Sequence, residues 1–228
     1  FSIVTKTRHF EQTVINDQSV GLLVADLNQS LQLLNQKTVY SLLVHNADDL
    51  LKPGSNKIIH QLQALKEQGI ISKIGVSIYT NDQLQSVMDK MDIDLVQLPV
   101  NILDRRLFDT GMLKKLFLQG VEVHARSIFL QGLLLMRKDN RPKYFSQWDP
   151  LWKLWHEWLS DNKLTALEAT VRHAISTPEI AKVLVGVDSK EQLREIIQAG
   201  DGTIPTIPKT LSTDDAVLLN PANWKINK

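Results

Sequence analysis

Short apolar runs rich in β-branched residues alternate with amphipathic helical patterns along nearly the whole chain, and that alternation leaves few folds open. The apolar runs cover residues 2–5, 39–44, 74–77, 94–98, 121–125 and 182–185. Between and after them lie helical patterns at 20–34, 57–68, 82–91, 110–119, 164–175 and 190–199. In the first of these, Leu23, Leu27, Leu31 and Leu34 recur at helical spacing, as do Ile58, Leu62 and Leu65 in the second. Such spacing places the side chains on one helix face. The strand runs are continuously apolar rather than alternating, the mark of a parallel sheet covered by helices. The expected fold class is α/β.

An open doubly wound sheet usually carries a Gly-rich turn after its first strand. No turn here has the G-x-G-x-x-G pattern, and Gly200 with Gly202 reads as an ordinary helix stop. Polar groups instead recur where successive strands end: Lys6, His45, Ser77, Gln97 with Asn101, Arg126 with Ser127, and Asp188. A (β/α)8 TIM barrel gathers its chemistry at the carboxyl ends of its strands. About six βα units are legible, where a closed barrel has eight. The sequence opens at Phe1, without an initiator methionine, in what reads as a buried strand. The expectation is therefore a single barrel domain over residues 1–228, N-terminally incomplete.

At 228 residues and 43% hydrophobic content, the chain can bury one sizeable core. A formal charge of +1 gives no global pull toward nucleic acid or acidic membranes. No uninterrupted apolar stretch reaches the roughly 18 residues of a membrane span. Absence of cysteine excludes disulfides and thiolate metal sites. No signal-peptide pattern is present, so the cytoplasm is the expected location. Residues 136–162 form an insertion in which Trp148, Trp152, Trp155 and Trp158 share one helix face. These are expected to pack against the barrel wall, a substrate-facing aromatic patch being the alternative. The tail, 203–228, with Pro205, Pro208 and Pro221, reads as an extended segment wrapping the outside.

Six stretches together resemble the aldo-keto reductase family. IVTK (3–6) is similar to its third strand, which ends in the catalytic lysine, and YSLLVHN (40–46) to its fourth, which delivers the catalytic histidine. SKIGVS (72–77), VQLPVN (96–101) and VHARSIFLQGLL (123–134) are similar to the fifth, sixth and seventh strands. VLVGVDSKEQLREI (183–196) resembles the last strand and the adenosine-side helix. Each motif is weak alone; their order, covering residues 1 to about 199, is specific.

The resemblance implies an NAD(P)H-dependent oxidoreductase that reduces an aldehyde or ketone, with NADPH or NADH as hydride source. It implies that Lys6 lowers the pKa of a proton-donating tyrosine and that His45 hydrogen-bonds the substrate carbonyl oxygen. Ser77 and Gln97 match positions that hold the nicotinamide carboxamide. Arg126 stands where an aromatic residue commonly stacks on the nicotinamide, next to Ser127, and a guanidinium can also lie flat on a ring. Gly186, Ser189, Gln192 and Glu195 match the adenosine end. Departures are Ile78 and Ile196, where asparagines are expected, and Asp188, where a basic residue often meets the 2′-phosphate. The negative charge of Asp188 tilts the expectation toward NADH or weak NADPH binding, although Lys190 or Arg194 could supply charge from the helix. The family's tyrosine and aspartate belong upstream of the lysine strand. Tyr40 lies within a strand, Tyr79 follows the fifth-strand motif and Tyr144 sits in the insertion, so none matches. A polypeptide of these residues alone is expected to lack the proton donor, to be inactive on carbonyls, and to expose two sheet edges.

Two other classes compete. A catalytically inactive binding or regulatory protein on the same scaffold is favoured by the departures at Ile78, Arg126 and Ile196. A metal-dependent barrel hydrolase needs several His and carboxylate ligands at strand ends. Only His45 is well placed, since His124 lies mid-strand, and no metal is expected. The expected partner is a small carbonyl compound. The patterns GVSIYT (75–80) and ARSIFLQGLL (125–134) look most like bacterial members found among sugar-modification enzymes, which points to a sugar-linked or small aldehyde.

Overall fold

A computed structural model of the protein describes residues 1–226; the last two positions of the expected tail lie outside the described residues. Six strands, β1 (Val4–Lys6), β2 (Val39–Val44), β3 (Ile71–Ser77), β4 (Leu95–Pro99), β5 (Glu122–Arg126) and β6 (Lys182–Val183), stand in chain order in the sheet. The ladders β1·β2, β2·β3, β3·β4 and β5·β6 are all parallel. Nine α-helices among the described residues accompany them: α1 (Asp17–Leu33), α2 (Asn56–Glu67), α3 (Asn81–Met88), α4 (Arg106–Asp109), α5 (Met112–Leu118), α6 (Asp149–Asp161), α7 (Ala166–Ile175), α8 (Lys190–Ala199) and α9 (Ala216–Leu219). The α/β class and the parallel sheet follow the reading of the sequence. The chain forms two compact units, Phe1–Leu98 with Leu116–Val123, and Pro99–Lys115 with His124–Lys228.

In the first unit, α1 buries Leu23, Leu27 and Leu31, the stripe that its periodicity marks. Asn16 starts this helix, its side chain accepting from the N–H of Ser19 while the Ser19 hydroxyl accepts from Asn16 N–H. Such reciprocal capping satisfies two donors that a helix start leaves open. Helix α2 buries Ile58, Ile59, Leu62 and Leu65. Strand β4 is buried along its whole length, and β2 at all but Tyr40. Gly75 on β3 is a close approach: a Cβ there would lie 2.2 Å from Leu43 Cδ2 and 2.8 Å from the carbonyl oxygen of Leu95. Strand β3 starts earlier than its apolar run at 74–77. Ser72 and Lys73 break the hydrophobic pattern, yet their backbone stays extended and pairs, with Val39↔Ile71 and Ser41↔Lys73 in register.

The first and last strands depart from expectation. Strand β1 begins at Val4 and is only half-buried, and Phe1 is fully exposed, so residues 1–5 do not form a buried strand. Strand β6 has two residues instead of the four expected at 182–185 and is likewise not buried. Each stands at an end of the strand order with one ladder neighbour among the described residues, so its apolar residues are covered from one side only.

The second unit is built around tryptophan. Trp152, Trp155 and Phe145 are buried with Leu130, Leu133 and Leu134, and with Leu211, Leu218 and Leu219 from the tail. The tail is therefore not an extended wrapper. Its leucines enter the core through a 3-10 turn at Lys209–Leu211 and through α9. Apolar spacing too short to register as a helix hid this from the sequence. The four tryptophans do pack as a stripe; Trp148 precedes α6 and anchors the tail by donating from Nε1 to Asp215 at 2.9 Å.

Candidate functional site

Four of the residues singled out from the sequence stand at one end of the β1–β4 ladder. Lys6 closes β1, opposite Leu43 of β2. His45 directly follows β2. The hydroxyl of Thr7 accepts the His45 N–H at 3.2 Å, while Thr7 N–H donates to the Leu43 carbonyl at 2.9 Å. Thr7, which sequence reasoning missed, thus ties the lysine and histidine strand ends together; its buried hydroxyl one position past Lys6 was the available signal. Ser77 closes β3 as the register partner of Gln97 on β4. The pair Val44↔Val76 sets the step before it, so the ends of β2 and β3 place His45 beside Ser77.

Ser77 and Gln97 are both buried, and Gln97 Nε2 has no hydrogen-bond partner. A buried amide donor left without an acceptor costs about 1–3 kcal/mol. Such a group is a natural seat for a ligand oxygen. Behind the ladder end, the chain after Lys6 is pinned by Asp49, which is fully buried. It accepts from Lys52 Nζ at 2.7 Å and from Phe10 N–H at 3.1 Å, and lies 3.2 Å from His9 Nδ1. Asn46, the neighbour of His45, reaches the same histidine nitrogen at 2.9 Å. This network was also missed, because nothing in the local sequence pairs positions so far apart.

The second unit holds a cavity of about 1110 Å³. Arg126, Ser127, Gly186, Gln192 and Glu195 line it, five of the positions that the resemblance assigns to cofactor binding, and Asp188 joins them. Ser189 lies outside the lining: its hydroxyl caps α8 by accepting from Gln192 N–H at 3.1 Å. Gln192 Oε1 in turn accepts the Asp188 N–H at 2.8 Å. The loop after β5 is conformationally strained. Ser127 (φ 60°), Leu130 (φ 47°) and Gln131 (φ 55°) adopt the left-handed region that non-glycine residues rarely visit. Ser127 and Gln131 border the cavity. Strain of this kind persists where the surroundings over-determine it, and it clusters at ligand clamps. Asn101, also in this unit, is buried, with Oδ1 accepting from Leu103 N–H and Nδ2 without a partner. Among the described residues no group of three or more His, Cys, Asp or Glu is arranged to hold a metal ion. No described helix is long and apolar enough to cross a membrane.

A parallel βα repeat with polar side chains gathered at its strand ends is the signature of the (β/α) barrel proteins. Within that class the chain belongs to the aldo/keto reductase family, whose profile matches residues 1–206. It is similar to the uncharacterized oxidoreductase YqkF of Bacillus subtilis (strain 168), with 25% identity covering 72% of this chain and 56% of that protein. The chain thus spans little more than half the length of this relative. Among solved structures it is similar to the aldo-keto reductase AKR11C1 from Bacillus halodurans in its holo form. That match has TM-score 0.69 and 19% identity, covering 90% of this chain and 68% of the other. The glycerol dehydrogenase AKR11B4 from Gluconobacter oxydans matches with TM-score 0.65 and 18% identity, over 86% and 62% of the two chains. These structural likenesses show the fold.

Proposed function

We propose that the protein, given the proton donor that Tyr40, Tyr79 and Tyr144 do not match, acts as an NAD(P)H-dependent oxidoreductase, reducing an aldehyde or ketone, sugar-linked or small, to the alcohol. The observation that carries this reading is the row Lys6, His45, Ser77 and Gln97 at adjacent strand ends, with a buried donor on Gln97 awaiting an acceptor. The residues fit a nicotinamide cofactor: Ser77 and Gln97 offer a hydroxyl and an amide to a carboxamide group. In the second unit, taken by itself, the cavity lined by Arg126, Ser127, Gly186, Gln192 and Glu195 has room for a nucleotide. When bound, such a cofactor supplies the hydride. His45 donates a hydrogen bond to the substrate carbonyl oxygen as negative charge gathers there. The ammonium of Lys6 would stabilise the anion of a proton donor placed beside it, lowering that donor's pKa. Tyr40 is not that donor, since it lies at the end of β2 away from His45 with its hydroxyl bonded to Glu122 at 2.5 Å.

The test is turnover of an aldehyde panel, sugar aldehydes included, followed by loss of reduced nicotinamide absorbance, together with direct titration of the dinucleotides. Lys6→Met and His45→Gln are expected to lower kcat by about 100-fold or more while dinucleotide binding persists. Dinucleotide binding without turnover of any carbonyl would favour a binding or regulatory protein on this scaffold, the reading that Ile78 and Ile196 support.

A further inference from the structure

In the first unit, the ring nitrogen Nδ1 of His9 stands between two groups that it cannot serve at once. Asn46 Nδ2 lies 2.9 Å from it and Asp49 Oδ2 3.2 Å. An amide nitrogen only donates and a carboxylate only accepts, whereas Nδ1 carries either a lone pair or a proton. The amide cannot turn over to suit the ring, because Asn46 Oδ1 already accepts the Asp48 N–H at 3.2 Å. Bare Nδ1 therefore serves Asn46, and protonated Nδ1 serves Asp49. Asp49 does not depend on the ring: its fully buried carboxylate takes Lys52 Nζ at 2.7 Å and Phe10 N–H at 3.1 Å. Among the described residues no other acceptor meets Asn46 Nδ2, and its contact with the ring is the shorter of the two. The neutral ring with bare Nδ1 is thus the favoured form. In that form an Asp49 oxygen faces a lone pair, a contact that a proton on Nδ1 turns attractive.

Asn46 is placed to pass a change at His9 on to the strand ends. It directly follows His45 and caps the 3-10 turn Ala47–Leu50, which carries both Asp48 and Asp49. Asp48 Oδ1 accepts from Gln83 Nε2 at 3.0 Å, and Gln83 Oε1 accepts the Tyr79 N–H at 2.9 Å, two residues past Ser77. The His9 side chain is half-exposed, so protons reach it from solvent. The charged groups around it are Asp49 with Lys52, Asp48 on the same turn, and Arg8, which Asp26 already holds. Lys6 and His45 stand at the strand ends that lead into these segments.

We infer that His9 is a positioning residue for His45: with Nδ1 bare it anchors Asn46 and the turn behind His45, and on protonation it turns to Asp49 and releases them. The strand-end site is thus held in place while His9 is neutral and loosened in acid. The consequence for catalysis rests on the reading of His45 as the residue that meets the carbonyl; the switch itself does not.

The test is long-range proton–nitrogen NMR of the isotope-labelled protein, followed across the range in which histidine changes charge, about pH 5 to 8. It reads the charge and tautomer of each histidine ring. Neutral His9 is expected to carry its proton on Nε2, with Nδ1 bare and hydrogen-bonded. As His9 protonates, the side-chain amide protons of Asn46 and the backbone amide of His45 should shift along the same curve. His9→Asn, whose side-chain oxygen can stand near the place of Nδ1 and does not titrate, should abolish that component at both residues while the His45 ring keeps its own titration. A neutral His9 with its proton on Nδ1 would overturn the inference, because the ring would then belong to Asp49 throughout. Asn46 resonances that stay flat while His9 protonates would overturn it equally, and the parent spectra decide both points whatever the fold of the variant. These readouts need neither cofactor nor carbonyl, so their failure is distinct from a failure of turnover, which bears on the reading of His45 alone.

Discussion

Ser77 and Gln97 are register partners across the β3–β4 ladder, and both are buried, at 4% and 2% exposure. Two polar side chains side by side in a buried position are expected to satisfy each other or a neighbour. Gln97 Nε2 instead has no partner. The fold therefore tolerates a destabilising group at the place where the proposed function needs a donor. Position and imperfection point the same way.

The first prediction follows from that trade. Gln97→Leu removes the unpartnered amide and fills the space with an apolar side chain. The unliganded protein should be as stable as the parent or more so, by up to about 1 kcal/mol. Dinucleotide affinity should fall about tenfold. Paired thermal melts with and without NADH read both effects. A variant that is clearly less stable without ligand would show that Gln97 serves the fold rather than a ligand.

Asp49 sits under the segment that leads away from Lys6, with its side chain fully buried and held by Lys52 and Phe10 N–H. Lys52 Nζ also donates to the Phe10 carbonyl. Asp49→Ala would strand a lysine and a backbone donor at once, and should destabilise the protein by about 3 kcal/mol in urea titration. Asp49→Asn keeps one acceptor for Phe10 N–H and should recover part of the loss. Equal stability of the two variants would show that the charge, and not the hydrogen bond to Phe10, holds this segment.

The residues at strand ends were legible because strands and helices carry different periods and the ladders from β1 to β4 are all parallel. Once β1 to β4 are placed, Lys6, His45, Ser77 and Gln97 come together by register alone. Contacts made by short polar side chains across distant segments were not legible. Thr7 to His45 and His9 to Asp49 obey no local pattern. The tail misled for a different reason. Pro205, Pro208 and Pro221 suggest extended backbone, and they do bracket short turns, but the turns deliver Leu211, Leu218 and Leu219 to the core. The left-handed residues Leu130 and Gln131 were invisible as well, because leucine and glutamine carry no preference for that conformation.

A pH dependence follows from His173 on α7. Its ring is 6% exposed and packs 5.4 Å from the Phe108 ring, with Nε2 lacking a hydrogen-bond partner. Burial, helped by the positive charge of Arg105, lowers its pKa from 6.5 to about 4. The folded protein thus keeps this ring neutral where the unfolded chain would protonate it. Stability from this source is complete above pH 6.5 and is lost as pH falls from 6.5 toward 4, by at most about 3 kcal/mol. Urea midpoints measured across that interval should fall for the parent and fall less for His173→Leu. Parallel acid limbs in the two proteins would mean that other groups govern the loss.

Trp155 carries the last prediction. It is fully buried in the second unit, stacked on Trp158 at 5.8 Å between ring centres, and donates from Nε1 to the Leu134 carbonyl at 3.3 Å. Trp155→Ala removes the largest kind of side chain from a core that also holds tail leucines, and should cost about 3–5 kcal/mol. Trp155→Phe preserves most of the packing and loses the hydrogen bond, so about 1–2 kcal/mol is expected. Leu134 follows the strained loop at 127–131 and adjoins Leu135 of the cavity lining. The phenylalanine variant should therefore also weaken NADH binding, through a loosened carbonyl rather than a lost ligand contact. If stability falls as expected and NADH affinity does not move, the tryptophan core and the cavity are energetically independent.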